Sequence, residues 1–171
     1  MKLRALAAIA ALITFCAAGA ASANVRVLAQ VGDWQAYGGT ATNGTRMCGV
    51  STSGDGKYFS VKYFYGDATF TIQLGSNGWR IGNGAKQRMT MRFDNNQPWR
   101  ATGTGFHFSN GQAALELSVA KDQLRAFLGE FRASNALRVA FDGGAVSGWW
   151  VSLTGTSAVS QVFVRCILDM E

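Results

Sequence analysis

His107 is the only histidine in the chain, so any Ser-His-Asp or Cys-His mechanism has to use it. Ser109 follows two residues later on the same strand face, and Glu116 lies across the Asn110-Gly111 turn. Hydroxyl, imidazole and carboxylate are the parts of a nucleophilic relay, in which the ring takes the hydroxyl proton and the carboxylate orients the ring. The surroundings do not favour one. No Gly-x-Ser-x-Gly elbow is present, and a lone strand histidine is more often a surface or hydrogen-bonded residue. Glycoside hydrolysis needs two carboxyl groups at a set separation. Asp33, Asp55, Asp67 and Asp142 each adjoin glycine, which reads first as turn chemistry. Asp94 and Glu116 alone fall near a polar strand face. Gly54-Asp55-Gly56 offers one carboxylate, too few for calcium. Gly82-Asn83-Gly84 and Gly103-Thr104-Gly105 do not open helices, so no phosphate cradle is expected. No cofactor or metal is expected.

A basic and aromatic band in the middle of the chain is more informative. It runs through Trp79-Arg80, Lys86, Arg88, Arg92 and Trp99-Arg100. Arg88 and Arg92 share the polar face of one strand, and Arg100, Thr102 and Thr104 extend that face on the next. Guanidinium groups bind phosphate, sulfate and carboxylate bidentately, and tryptophan supplies a stacking or interfacial surface. The expected contact surface is therefore Arg88, Arg92 and Arg100, flanked by Trp79 and Trp99. Trp150, opposite a core-facing Trp149, is a second candidate. Arg88 and Arg92 repel unless an anion or acid sits between them, and Glu116 is the nearest acid in this reading. The competing reading is a solvated face with the tryptophans in the core.

The N-terminus sets the compartment. Lys2 and Arg4 precede the apolar run Leu6–Cys16, and Ala21-Ser22-Ala23 is a small-x-small cleavage site. This is the layout of a signal peptide over residues 1–23. The apolar run is shorter than the roughly 20 residues that span a bilayer, and nothing later is longer. The mature chain, residues 24–171, is expected to be one β-rich domain, periplasmic or secreted, with no transmembrane helix. Phe15 sits where a lipobox wants a small residue, so Cys16 is not a lipoprotein cysteine. Cys48 and Cys166 remain, and in an oxidising compartment a lone pair most often forms one disulfide. Two free thiols are the alternative. A bridge across 118 residues would contribute about 4.7 kcal/mol on the chain-entropy model. Without Lys2 and Arg4 the chain carries 14 basic and 10 acidic side chains, a net charge of +4. That favours an anionic envelope component such as phospholipid head groups, lipopolysaccharide or acidic glycans. It is too low for nucleic acid, and it counts against an inhibitor of basic lysozymes.

The elements that must position these residues are mostly strands. The chain has 21 glycines and one proline. Asn43-Gly44, Asp55-Gly56, Asn77-Gly78, Asn83-Gly84 and Asn110-Gly111 are tight-turn dipeptides. Between them lie strand-like runs at 58–65, 69–74, 88–93, 101–108 and 113–119. Phe70, Ile72 and Leu74 alternate with polar residues; so do Met89, Met91 and Phe93, and Leu137, Val139 and Phe141. Trp149, Val151 and Leu153 share one face. Leu124, Phe127, Leu128 and Phe131 have helical spacing within Val119–Ala133. Ala158, Val159, Val162, Phe163, Cys166 and Ile167 do so within Ser157–Leu168, with Thr156 or Ser157 as cap. The fold class expected is α+β, mainly β: a twisted antiparallel meander or β-sandwich with two covering amphipathic helices.

This layout resembles small exported proteins of the invasion-associated locus B type. The matching features are Gly32-Asp33-Trp34, Met47-Cys48-Gly49 on the next strand, the late helix Gln123–Phe131, and Trp150-Val151-Ser152-Leu153-Thr154-Gly155 before a final helix. The chain departs from the pattern in having one long bridge and a single proline. The resemblance implies a periplasmic or envelope protein with a host- or surface-interaction role, and it carries over no catalytic residue. The function expected is non-enzymatic binding of an anionic envelope component or a protein partner. The alternatives are a small exported hydrolase using His107 and a secreted enzyme inhibitor.

Overall fold

A computed structural model of the chain describes residues 23–143 and 147–171. All of the expected leader except Ala23 lies outside them. Ten strands form one antiparallel sheet: β1 (Asn24–Val31), β2 (Trp34–Thr40), β3 (Arg46–Gly54), β4 (Lys57–Phe64), β5 (Thr69–Ser76), β6 (Lys86–Phe93), β7 (Trp99–His107), β8 (Ala113–Ala120), β9 (Ala136–Phe141) and β10 (Trp149–Ser152). Helix α1 (Leu124–Ala133) follows β8 through a short 3-10 turn at Lys121–Gln123, and α2 (Thr156–Leu168) closes the chain. The fold is α+β, mainly β.

The order across the sheet is β1-β2-β3-β4-β5-β8-β7-β6-β9-β10. Hairpin neighbours hold within β1–β5, β6–β8 and β9–β10. The meander breaks where β5 pairs with β8 and β6 pairs with β9. Asp55 and Gly56 both have positive φ, 49° and 69°, which matches the right-handed twist of the β3 and β4 strands they join. The sheet coils until its ends meet: Trp34 Nε1 donates to Ser152 O at 2.9 Å, tying β2 to the far edge strand.

One face carries the core. Phe70, Ile72, Leu74, Phe93 and Leu137 have no exposed surface, and Met89 and Met91 almost none, as their alternation requires. The helices cover this face. Phe131 of α1 packs edge-on to Trp34 at 5.0 Å between centroids, and Phe127 meets Phe93 at 5.2 Å and Phe70 at 5.5 Å. Helix α2 lies against β1, β2, β3 and α1. The Cys48–Cys166 disulfide ties it to β3, with Cα atoms 6.0 Å apart.

Three local expectations need correction. Helix α1 begins at Leu124 rather than near Val119, because β8 keeps its ladder with β5 as far as Ala120. Neither Thr156 nor Ser157 caps α2. Gly155 holds the cap position at φ 100°, and Thr156 donates its hydroxyl to the carbonyls of Phe131 and Leu153, each at 2.7 Å. Gly155 is needed there, since an added Cβ would stand 2.7 Å from Val31 O. On α2, Ala158 is exposed and Ser160 is buried in the stripe.

Candidate functional site

The open face of the sheet, opposite the helices, holds the arginines. With Met89, Met91 and Phe93 in the core, Arg88, Thr90 and Arg92 of β6 point the other way. On β7, Arg88 is opposite Thr102 and Thr90 is opposite Arg100. On β9, Arg92 is opposite Arg138, and on β10, Trp150 is opposite that same Arg138. Trp150, Arg138 and Arg92 therefore form one row across three strands, with Arg100 on the next rung. Arg138 joins Arg88, Arg92 and Arg100 through the β6–β9 crossover, which its position in the sequence does not suggest.

Electrostatically most of this face is uncompensated. Residues opposite each other in an antiparallel ladder have Cβ atoms about 4.5–5.5 Å apart, and like charges there destabilise the pair. Arg88 has a partner, Asp142 Oδ2 at 3.2 Å, but both side chains are mostly exposed and such a pair contributes about 0–1 kcal/mol. The other ion pair among the described residues is Lys121–Glu171. Arg92, Arg100 and Arg138 take part in neither. Glu116 is not the acid beside Arg88 and Arg92. It stands opposite Thr104 and accepts a 2.7 Å hydrogen bond from Gln73 Nε2. Gln73 Oε1 in turn accepts from Lys62 Nζ at 2.6 Å. Burial lowers the Lys62 amine below its ordinary range, and the nearby Glu116 charge opposes that.

The tryptophans divide. Trp150 is 63% exposed and belongs to the arginine row. Trp79 is buried against Phe141 and Trp149, at 5.1 and 6.5 Å, and its Nε1 donates to Ser147 O. Trp99 turns to the core side and packs on Phe127 at 5.6 Å. Neither of these two flanks the arginines.

The residues considered for catalysis are not brought together. His107 Nδ1 lies 2.8 Å from Asn83 Oδ1 and its strand partner is Ala113, three positions from Glu116 and so on the opposite face. Asp94 and Glu116 are also apart. Glu116 shares a row with Thr104 and Lys86, and Asp94 lies eight residues further along β6, roughly 26 Å at about 3.3 Å per residue. Glycosidase carboxylates stand less than about 10 Å apart. Asp94 instead accepts the N–H groups of Asn135 and Ala136, each at 2.9 Å, and these bonds hold its carboxyl below the ordinary carboxylate value.

No protein-family model and no curated protein sequence matches the chain. Among solved structures, the chain is similar to the crystal structure of invasion associated protein B from Bartonella henselae. The two are 15% identical with a TM-score of 0.57, over 84% of this chain and 98% of the other. The likeness read from Gly32-Asp33-Trp34, Met47-Cys48-Gly49 and the Trp150–Gly155 segment thus extends to the fold.

Proposed function

We propose that this chain is an exported, non-enzymatic envelope protein that binds an anionic partner through the open face of β6, β7, β9 and β10. The observation that carries the reading is the direct opposition of Arg92 and Arg138, with Trp150 next in the row. A phosphate, sulfate or carboxylate group seated between the two guanidinium groups turns a repulsive pair into a bidentate clamp. The indole beside it suits the boundary between a wet head group and an apolar layer. Arg88 and Arg100 widen the clamp enough for a ligand with more than one negative group.

The disulfide and the fold likeness support the compartment. A Cys48–Cys166 bridge belongs to an oxidising environment. No helix among the described residues is long and apolar enough to cross a membrane. Co-sedimentation of the mature protein with phosphatidylglycerol vesicles and with lipopolysaccharide, over a salt series, tests the reading. Retention should be high at low salt and fall steeply as the Debye length shrinks below about 8 Å. Equal retention on zwitterionic and anionic vesicles would count against it.

A further inference from the structure

We propose that the cleft between β10 and the tip of the β3–β4 hairpin takes an extended peptide segment of a partner protein, which adds a short strand between two free backbone edges. This goes beyond the arginine face and does not rest on it.

The first edge is β10. Leu153 N–H donates to Asn135 O at 2.9 Å, so by alternation Val151 and Trp149 direct their backbone groups toward β9. Trp150 and Ser152 then direct theirs away from it. Ser152 O does so visibly, since it accepts the Trp34 indole N–H. The N–H and C=O of Trp150 lie on the same open side.

The second edge is the end of β3. The hairpin turns on Asp55-Gly56, so Gly54 and Lys57 are the bonded pair that closes it. Thr52 and Val50 likewise bond to β4, and Ser53 and Ser51 face β2. But β2 begins at Trp34, opposite Thr52. Asp33, in the turn before β2, is opposite Ser53 in that register, but no backbone hydrogen bond joins the two, so Ser53 presents its N–H and C=O at the end of the β2 ladder. Ser53 and Trp150 line the same cleft, of about 450 Å³.

The cleft has chemistry for side chains as well. Trp149 lines it, is only 9% exposed, and its Nε1 has no hydrogen-bond partner among the described residues. A buried N–H without an acceptor costs free energy until one arrives. Asp33 and Asp55 stand at the rim, and neither belongs to an ion pair among the described residues. Lys57 is the one cation lining the cleft among the described residues. Tyr58 and the exposed Trp150 offer a surface for an apolar side chain. Donors and acceptors on both walls are met by a peptide backbone, which repeats both groups at the spacing of a strand; sugar hydroxyls also donate and accept, but without that repeat. The two carboxylates select a segment that carries lysine or arginine.

The test uses the mature, disulfide-bonded protein panned against a phage-displayed library of linear peptides, with neutral oligosaccharides as a second probe. Enriched peptides should alternate apolar residues and include lysine or arginine. On binding, the Ser53 and Trp150 amides should gain protection from hydrogen exchange, and the Trp149 indole N–H signal should move. Ser53→Pro removes an edge-facing N–H, and Ser152→Pro removes another together with the hydroxyl that accepts from Thr154 N–H; each should weaken peptide binding about tenfold or more, whereas Ser152→Ala, which loses the hydroxyl alone, should leave it unchanged. A dispersed amide spectrum checks that each variant is folded; where one is not, amide protection in the wild-type protein decides. No enrichment, peptide binding without amide protection, or oligosaccharide binding in the cleft would each overturn the proposal. None of these outcomes depends on whether the arginine face binds vesicles.

Discussion

Arg92 on β6 and Arg138 on β9 stand directly opposite each other in the antiparallel ladder. Both are exposed, and neither is in an ion pair among the described residues. A surface under no functional demand has little reason to keep this arrangement, because replacing either arginine relieves the repulsion. Its neighbours sharpen the point. Trp150 continues the row, Arg100 stands on the next rung opposite Thr90, and Arg88 stands one rung further along β6.

Relief of that repulsion is measurable. Arg138→Thr keeps a residue that suits a strand and removes the like-charge contact, so it should stabilise the protein by about 0.2–1 kcal/mol. Urea unfolding at low salt reads this, and the gain should shrink as salt screens the pair. A variant less stable than wild type would mean that Arg138 has a favourable partner.

The disulfide gives a second prediction. Intact mass of the unreduced mature protein should show no alkylatable thiol, because Cys48 and Cys166 are joined. Cys166→Ser should cost about 2–5 kcal/mol, chiefly by freeing a long loop in the unfolded chain. Two reactive thiols in unreduced material would contradict it.

A third prediction concerns pH. Asp94, at φ 44° just past β6, accepts the N–H groups of Asn135 and Ala136 and so fixes the entry to β9. Its carboxyl is held below the ordinary 3.8. Ionisation therefore favours the folded state: the benefit is complete above the ordinary value and is lost as pH falls through the lowered one. Wild type should be more stable than Asp94→Asn at about pH 6, and the difference should narrow below 3.8. Paired urea curves across that range check it, and a constant difference would contradict it.

Gly49 gives a fourth. The Tyr37 ring lies across it, and an added Cβ would stand 2.4 Å from Tyr37 Cζ. Tyr37 is itself buried, which pushes its phenol well above its ordinary range, so the ring has little room to retreat. Gly49→Ala should cost about 1–3 kcal/mol in urea unfolding. An unchanged midpoint would show that the ring moves freely.

Much of the architecture was legible in single strands. Phe70-Ile72-Leu74, Met89-Met91-Phe93 and Leu137-Val139 alternate cleanly because one face of each strand is buried. The helical spacing of Phe127, Leu128 and Phe131 was equally plain. What a strand pairs with is a different matter. The β6–β9 register joins Arg92 to Arg138 across 46 positions, and no local pattern encodes a crossover. For the same reason strand order in the sequence puts Glu116 nearest Arg88, where the structure has Asp142. Strand β1 alternates Val25, Val27, Ala29 and Val31 with other residues, yet its burial does not follow that period, because it is an edge strand exposed along almost its whole length and bulged between Val27 and Ala29. Trp99 was decidable: it neighbours Arg100 on a strand, so the two must face opposite ways. Trp79 was not, since it precedes β6 in a segment without strand period.

The most direct test of the arginine clamp compares wild type with Arg92→Thr/Arg138→Thr in two measurements on the same preparations. One is urea unfolding, and the other is co-sedimentation with phosphatidylglycerol vesicles at low salt. The double variant should be at least as stable as wild type and yet be lost from the vesicle pellet. A variant that is equally stable and still pelleted as fully as wild type would contradict an anion-binding role for this face.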